Sequence, residues 1–177
     1  MVSLLTGEAK FMDLTKLTKV LRSTLLLRAA LIAMGAFIVF LCVLMSVVFT
    51  TDKTVDDPIL VTFKLVVLGL YVASIPFHYA LYQAWKLLGL IDHKLAFTGE
   101  SVTALQRIKQ SAIVIAVLFV LYMPIIATIA RHMDAPGVGA IGVIIIFLSS
   151  VIAVFTALLQ KLFQNAVDIK SENDLTV

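Results

Sequence analysis

Six side chains in one apolar stretch have types that could do chemistry: Lys64, Tyr71, Ser74, His78, Tyr82 and Trp85. At 100° per residue they fall within a sector of about 80° on one helix. Such a stripe could line a small site that opens outward, with Lys64 at its mouth and His78 at its floor. It also has a plainer reading. Tyrosine and tryptophan are common where helices cross a membrane interface, and a buried histidine can simply bond a backbone carbonyl. On either reading the stripe should face protein or water, because ionisable groups inside a membrane avoid lipid. Lys64 lies less than two turns from Pro58 and can reach outward along its own stem. His78 is deeper. No aspartate or glutamate lies in the core of any apolar run, so neither group has an embedded ion-pair partner.

Other chemistries lack their residues. An intramembrane protease would need paired aspartates, a Ser/His pair or a zinc-binding H-E-x-x-H helix, and the sequence has none of these. His78, His93 and His132 are scattered at different depths and do not make a metal-ligand pattern. No phosphate-binding or dinucleotide-binding glycine motif occurs. Coupled transporters usually carry acidic residues in their spans, and small four-span exporters rely on an embedded glutamate. The expectation is a protein without catalytic, metal or cofactor-binding residues. Cys42 is the single cysteine; it excludes an internal disulfide and reads as a small apolar space-filler.

The elements that must hold the stripe are membrane spans. The chain has 177 residues, of which 61% are hydrophobic and 14% charged; soluble domains are about half apolar and a quarter charged. Mean hydropathy is +1.06. Four runs reach the roughly 20 residues that a helix needs to cross the hydrocarbon core. They cover residues 25–50, 59–88, 111–130 and 137–162. Lipid offers no hydrogen bonds to an open backbone, so all four must be helices. The expected fold is an all-α integral membrane four-helix bundle with short outside loops. Residues 1–24 form an amphipathic N-terminal segment, 25–170 the four-span domain and 171–177 a polar tip. The first run is too long for a signal-peptide core and lacks a clear cleavage site, so it is expected to stay in the membrane.

The connections set the orientation. Residues 51–58 carry three aspartates and one lysine, and residues 131–136 are nearly neutral. On the other side lie Lys10, Lys16, Lys19, Arg22, Lys86, Lys94, Arg107, Lys109, Lys161 and Lys170, against only Lys53 and Arg131. The positive-inside rule places both termini and the middle connection in the cytoplasm. The net charge of +3 then reflects orientation and not direct nucleic-acid binding. Arg28, at the inner end of the first span, is expected to anchor that end at anionic headgroups.

Local signals refine this outline. Phe11, Leu14, Leu17 and Leu21 recur at helical spacing among lysines, as in a helix lying on the inner membrane surface or a cytosolic extension of the first span. Gly89 can end the second helix, and Thr98 or Ser101 can cap the third. Val102, Leu105 and Ile108 then share a face, so the second and third helices should form a cytoplasmic hairpin. Small residues mark contacts between helices in lipid. They occur at Gly142, Ser149 and Thr156, one heptad apart, with Gly139 and Ala153 on the same seam, and at Ala29, Ala33 and Ala36 in the first span. The fourth-span seam would serve packing within the bundle or contacts in a homo-oligomer. Pro76 and Pro124 should bend their helices.

The stretch YQAWKLLGLIDHKLAFTGESVTALQRIKQSA resembles the central cytoplasmic segment of a bacterial four-span family catalogued as domain of unknown function 2975. The resemblance rests on Lys86-Leu87-Leu88, Ala96-Phe97 and Ser101 to Leu105, and on the C-terminal LLQKLFQNAVDIKSENDLTV. It runs from about residue 25 to 177. It implies a multi-pass protein of the bacterial plasma membrane, similar to proteins encoded beside a very small helix-turn-helix regulator. The polar tip then gains a possible purpose. Asp168, Lys170, Glu172 and Asp174 would extend the fourth helix as a charged handle beside Lys94, Arg107 and Lys109, and together dock a small cytoplasmic partner. A solvated helix end that only keeps the fourth span in register remains the simpler alternative. Two other roles stay open: a small transport or immunity-type protein acting on a membrane-active peptide or small ligand, and a structural subunit of a larger membrane complex.

Overall fold

The computed structural model describes residues 24–47, 58–93 and 95–175. It contains four long apolar helices: α1 (Thr24–Val47), α2 (Pro58–Asp92), α3 (Gly99–His132) and α4 (Pro136–Leu175). The amphipathic stretch with Phe11, Leu14, Leu17 and Leu21, and the acidic connection 51–57, lie outside the described residues.

The helix ends follow local chemistry. Pro58 and Pro136 open α2 and α4, where a proline's missing N–H has no intrahelical partner to lose. Thr98 caps α3 with extended backbone, but its hydroxyl turns back to the Leu95 carbonyl at 3.0 Å. Ser101 is therefore inside the helix. Arg131 and His132 occupy the last turn of α3, where cations suit the helix dipole. The chain then reverses at Asp134, whose φ of 49° is left-handed and is tolerated by a short polar side chain. Gly89 does not end α2. The helix passes through it to Asp92, and His93 N–H still donates to the Gly89 carbonyl at 3.2 Å. A glycine within a helix costs only about 1 kcal/mol against alanine, and in the extra turn Asp92 pairs with Arg28 at 2.7 Å. Pro76 and Pro124 both sit inside continuous helices.

Each helix packs on its neighbour in sequence. α3 lies between α2 and α4, and α1 lies on another face of α2. The start of α1, the α2–α3 connection and the overhang of α4 share one end, as the contacts Arg28–Asp92 and Phe97–Phe163 require. This is the basic end.

Small residues allow the close approaches. Gly142, Ser149, Ala153 and Thr156 are buried. A Cβ on Gly142 would meet Met123 Sδ of α3 at 3.2 Å, so the α4 seam is used within the chain. Gly69 of α2 is tighter, since a Cβ there would lie 2.6 Å from the Tyr122 ring of α3. In α1 the expected Ala29, Ala33 and Ala36 are exposed. Its covered positions include Arg28, Leu31, Gly35, Ile38, Cys42 and Met45, a heptad series, together with Thr24, Leu41 and Ser46; their phase is set by what α2 offers and not by side-chain size.

Gly69→Ala is expected to lower stability by about 1–3 kcal/mol through overpacking, and Tyr122→Leu in the same chain should restore most of it. Thermal unfolding in detergent reads both; unchanged melting of the single variant would mean that α2 and α3 are not in close contact at this point.

Candidate functional site

The polar stripe of α2 meets α1. Tyr71 donates from its hydroxyl to the Cys42 carbonyl at 3.1 Å. His78 places Nε2 3.3 Å from the Gly35 carbonyl. The Arg28 guanidinium lies 5.3 Å from the centre of the Trp85 ring, within cation–π range. The rungs step by one heptad on each helix, 42, 35 and 28 against 71, 78 and 85. Antiparallel helices with this register present matching positions on every second turn.

Both polar bonds reach backbone carbonyls of α1 at small residues. A Cβ on Gly35 would approach Leu81 Cδ1 at 3.3 Å and the His78 ring at 3.8 Å. A larger side chain would hold the imidazole away from its acceptor. Arg28 also pairs with Asp92 at 2.7 Å. The expected headgroup anchor is thus tied within the protein, because α2 runs past Gly89 and brings a carboxylate within reach.

His78 faces two acceptors, since its Nδ1 lies 2.8 Å from the Ser74 carbonyl of its own helix. A neutral imidazole donates through one nitrogen only, whereas the doubly protonated ring donates through both. The neutral ring therefore donates either to its own helix or to the neighbouring helix, according to its tautomer. Ser74 donates to the Tyr71 carbonyl at 2.7 Å. Lys64 and Tyr82 are exposed.

The second group of expected residues lies at the basic end. Lys109 donates to Gln160 Oε1 at 2.7 Å and joins α3 to α4. Arg107 is exposed on α3, and Asp168, Lys170 and Glu172 are exposed on the last turns of α4. Asp168 accepts from Gln164 Nε2 at 3.0 Å. Lys94 and the side chain of Asp174 lie outside the described residues. Lys86 pairs with Glu100 across the connection at 3.2 Å.

Sequence reasoning missed two features. Gln83 and Ser101 are the most enclosed polar side chains, 2% and 0% exposed. The glutamine within an aromatic and apolar run, YQAWKLL, was the available signal. There is also an apolar cavity of about 190 Å³ between α1, α2 and α3, bordered by Met45, Val66, Ala73, Leu118 and Tyr122. No residue of the polar stripe lines it. Among the described residues no group of three His, Cys, Asp or Glu side chains could hold a metal ion.

The family model described as protein of unknown function DUF2975 matches residues 50–177. The chain belongs to this family. It is also 47% identical over 156 residues to "Uncharacterized membrane protein YoaS" of Bacillus subtilis (strain 168), covering 88% of this chain and 98% of that protein. No solved structure matches the chain. The family match includes α2, α3 and α4 whole, and with them every residue of the polar stripe. The four apolar helices and the membrane-protein relative identify a multi-pass membrane protein.

Hydrogen bonds between helices in membranes average about 0.6 kcal/mol. Tyr71→Phe should therefore lower stability by about that much, and His78→Ala by about 1 kcal/mol once lost packing is added. Cys42→Ala should stay close to wild type, because Tyr71 bonds the backbone of residue 42. Thermal unfolding in one detergent ranks the three; Cys42→Ala as damaging as His78→Ala would contradict this ladder.

Proposed function

We propose that the chain is a non-enzymatic membrane sensor or anchor that regulates a small cytoplasmic helix-turn-helix transcription factor. Both termini and the α2–α3 connection then face the cytoplasm, with 51–58 and 131–136 outside.

The observation that carries this reading is the paired overhang of α3 and α4. α3 begins twelve residues before its apolar run at Ser111, and α4 continues thirteen residues past Leu162. At 1.5 Å per residue each projects about 18–20 Å. The two are fastened together: Phe97 and Phe163 have ring centres 5.4 Å apart, and Lys109 bonds Gln160. Val102, Ala104 and Leu105 are buried beneath them. Membrane crossing does not need this structure. A stiff, exposed, mixed-charge platform suits docking of a folded partner. The family resemblance supplies that partner's class. The α1–α2 seam is the candidate sensing element, since His78 sits there between two carbonyl acceptors, one on each helix.

A second reading has its own observation. The apolar cavity between α1, α2 and α3 suits a small apolar ligand, as in a transport or immunity-type protein.

Two experiments test the leading reading. In a Cys42→Ala background, Asp56→Cys should react with a membrane-impermeant thiol reagent from outside only; labelling from inside only would invert the orientation. Deletion of 171–177 should weaken capture of the neighbouring helix-turn-helix protein more than tenfold, about 1.4 kcal/mol, while the bundle stays folded. Glu172→Ala alone should cost about 0–1 kcal/mol, as an exposed charge does. Equal capture by full-length and truncated protein would remove the tip from any docking surface.

A further inference from the structure

A groove of about 360 Å³ runs along the junction of α3 and α4, away from the α1–α2 seam. Ile113, Ala116 and Val117 line it from α3, and Ala153, Val154 and Ala157 from α4. The three alanines form a depression because they lack the bulk to fill the space between two helices. Val117 and Val154 are exposed and form its rims. Ser150 also borders the groove, but its hydroxyl donates to the Ile146 carbonyl at 2.8 Å and leaves the trough apolar. From residue 109 to 117 the trough extends about 12 Å, close to the roughly 15 Å of one leaflet's hydrocarbon.

Lys109 closes the groove at the basic end. It is half-buried, and its ammonium is held by Gln160 at 2.7 Å. An ammonium has three donors, and this bond uses one. Among the described residues no carboxylate pairs with Lys109; Asp92 pairs with Arg28 and Glu100 with Lys86. A positioned cation with spare donors thus sits where an apolar trough meets the headgroup level. Arg107 and Lys161, both exposed, lie next to the Lys109–Gln160 pair in sequence.

We propose that this groove binds an anionic phospholipid, with one acyl chain along the α3–α4 trough and the phosphate on Lys109. Charge complementarity favours an anionic headgroup over a zwitterionic one. The trough lies within the apolar runs, where acyl chains are the surrounding solvent, so a lipid fits better than a peptide or a free anion. Basic sites between helices at the headgroup level recognise anionic lipids on the same physical grounds.

The test counts lipids retained by the full chain in native mass spectrometry, after exchange into detergent carrying equal phosphatidylglycerol and phosphatidylcholine with identical chains. Wild type should prefer phosphatidylglycerol by about fivefold, the scale of one lysine near an anionic surface. Lys109→Gln should abolish the preference and still retain lipid. Lys64→Gln, an exposed lysine at the opposite end, should leave it intact. Ala116→Leu fills the trough without touching Lys109 and should reduce retention of both lipids. Excess inorganic phosphate should not displace the lipid. The proposal fails if Lys109→Gln keeps the wild-type preference, if Lys64→Gln loses as much, or if Ala116→Leu retains lipid unchanged. Displacement by phosphate would also overturn it, since the site would then read a free anion.

Discussion

The position of α1 depends on two carbonyl oxygens. Among the described residues of α1 only Cys42 is buried, and the remainder of the helix is either half-covered or open to lipid. In water such a helix would be held by burial of its apolar face. In a bilayer that driving force is absent, because lipid tails are as apolar as leucine. What remains is close packing and directed polar contacts. The Cys42 carbonyl accepts from Tyr71, His78 Nε2 faces the Gly35 carbonyl at 3.3 Å, and Arg28 closes the basic end on Trp85 and Asp92. Once this face of α2 is given to α1, another face is free for α3, which Gly69 admits to the Tyr122 ring.

The α3–α4 half is held differently. Its seam is made of small side chains at Gly142, Ser149, Ala153 and Thr156, and its polar fastener is one lysine–amide bond at the basic end. Gln83, Ser101, Ala104 and Leu105 are enclosed towards that end, and Ile129 is equally enclosed near the opposite end of α3. The apolar cavity lies towards the opposite end, bordered by Met45, Phe63 and Ile126.

Much of this was legible in the residues. Four long apolar runs allow little but four helices, and the heptad of Gly142, Ser149 and Thr156 announces a packing seam. The stripe from Tyr71 to Trp85 was expected to face protein or water; Tyr71, His78 and Trp85 meet α1, whereas Tyr82 is exposed. The partner of that stripe was not legible. It accepts through backbone carbonyls, which every residue has, so Gly35 and Cys42 carry no side-chain signal for it. The partner of Arg28 was hidden for a related reason. Gly89 suggested that α2 stops before Asp92, and a helix one turn shorter would have left the guanidinium to the headgroups. Ala29, Ala33 and Ala36 have the composition of a contact but the wrong phase, and phase is set by a partner helix that one helix's sequence does not name.

The register of α1 on α2 is the claim on which the rest stands. Its most direct test uses the native Cys42 as one arm of a short bifunctional thiol crosslink in intact membranes. With Tyr71→Cys as the other arm, the two helices should join in high yield. With Val72→Cys, one residue away and turned towards lipid, they should not. Equal crosslinking of the two, or a preference for position 72, would mean that α1 does not lie on the polar stripe.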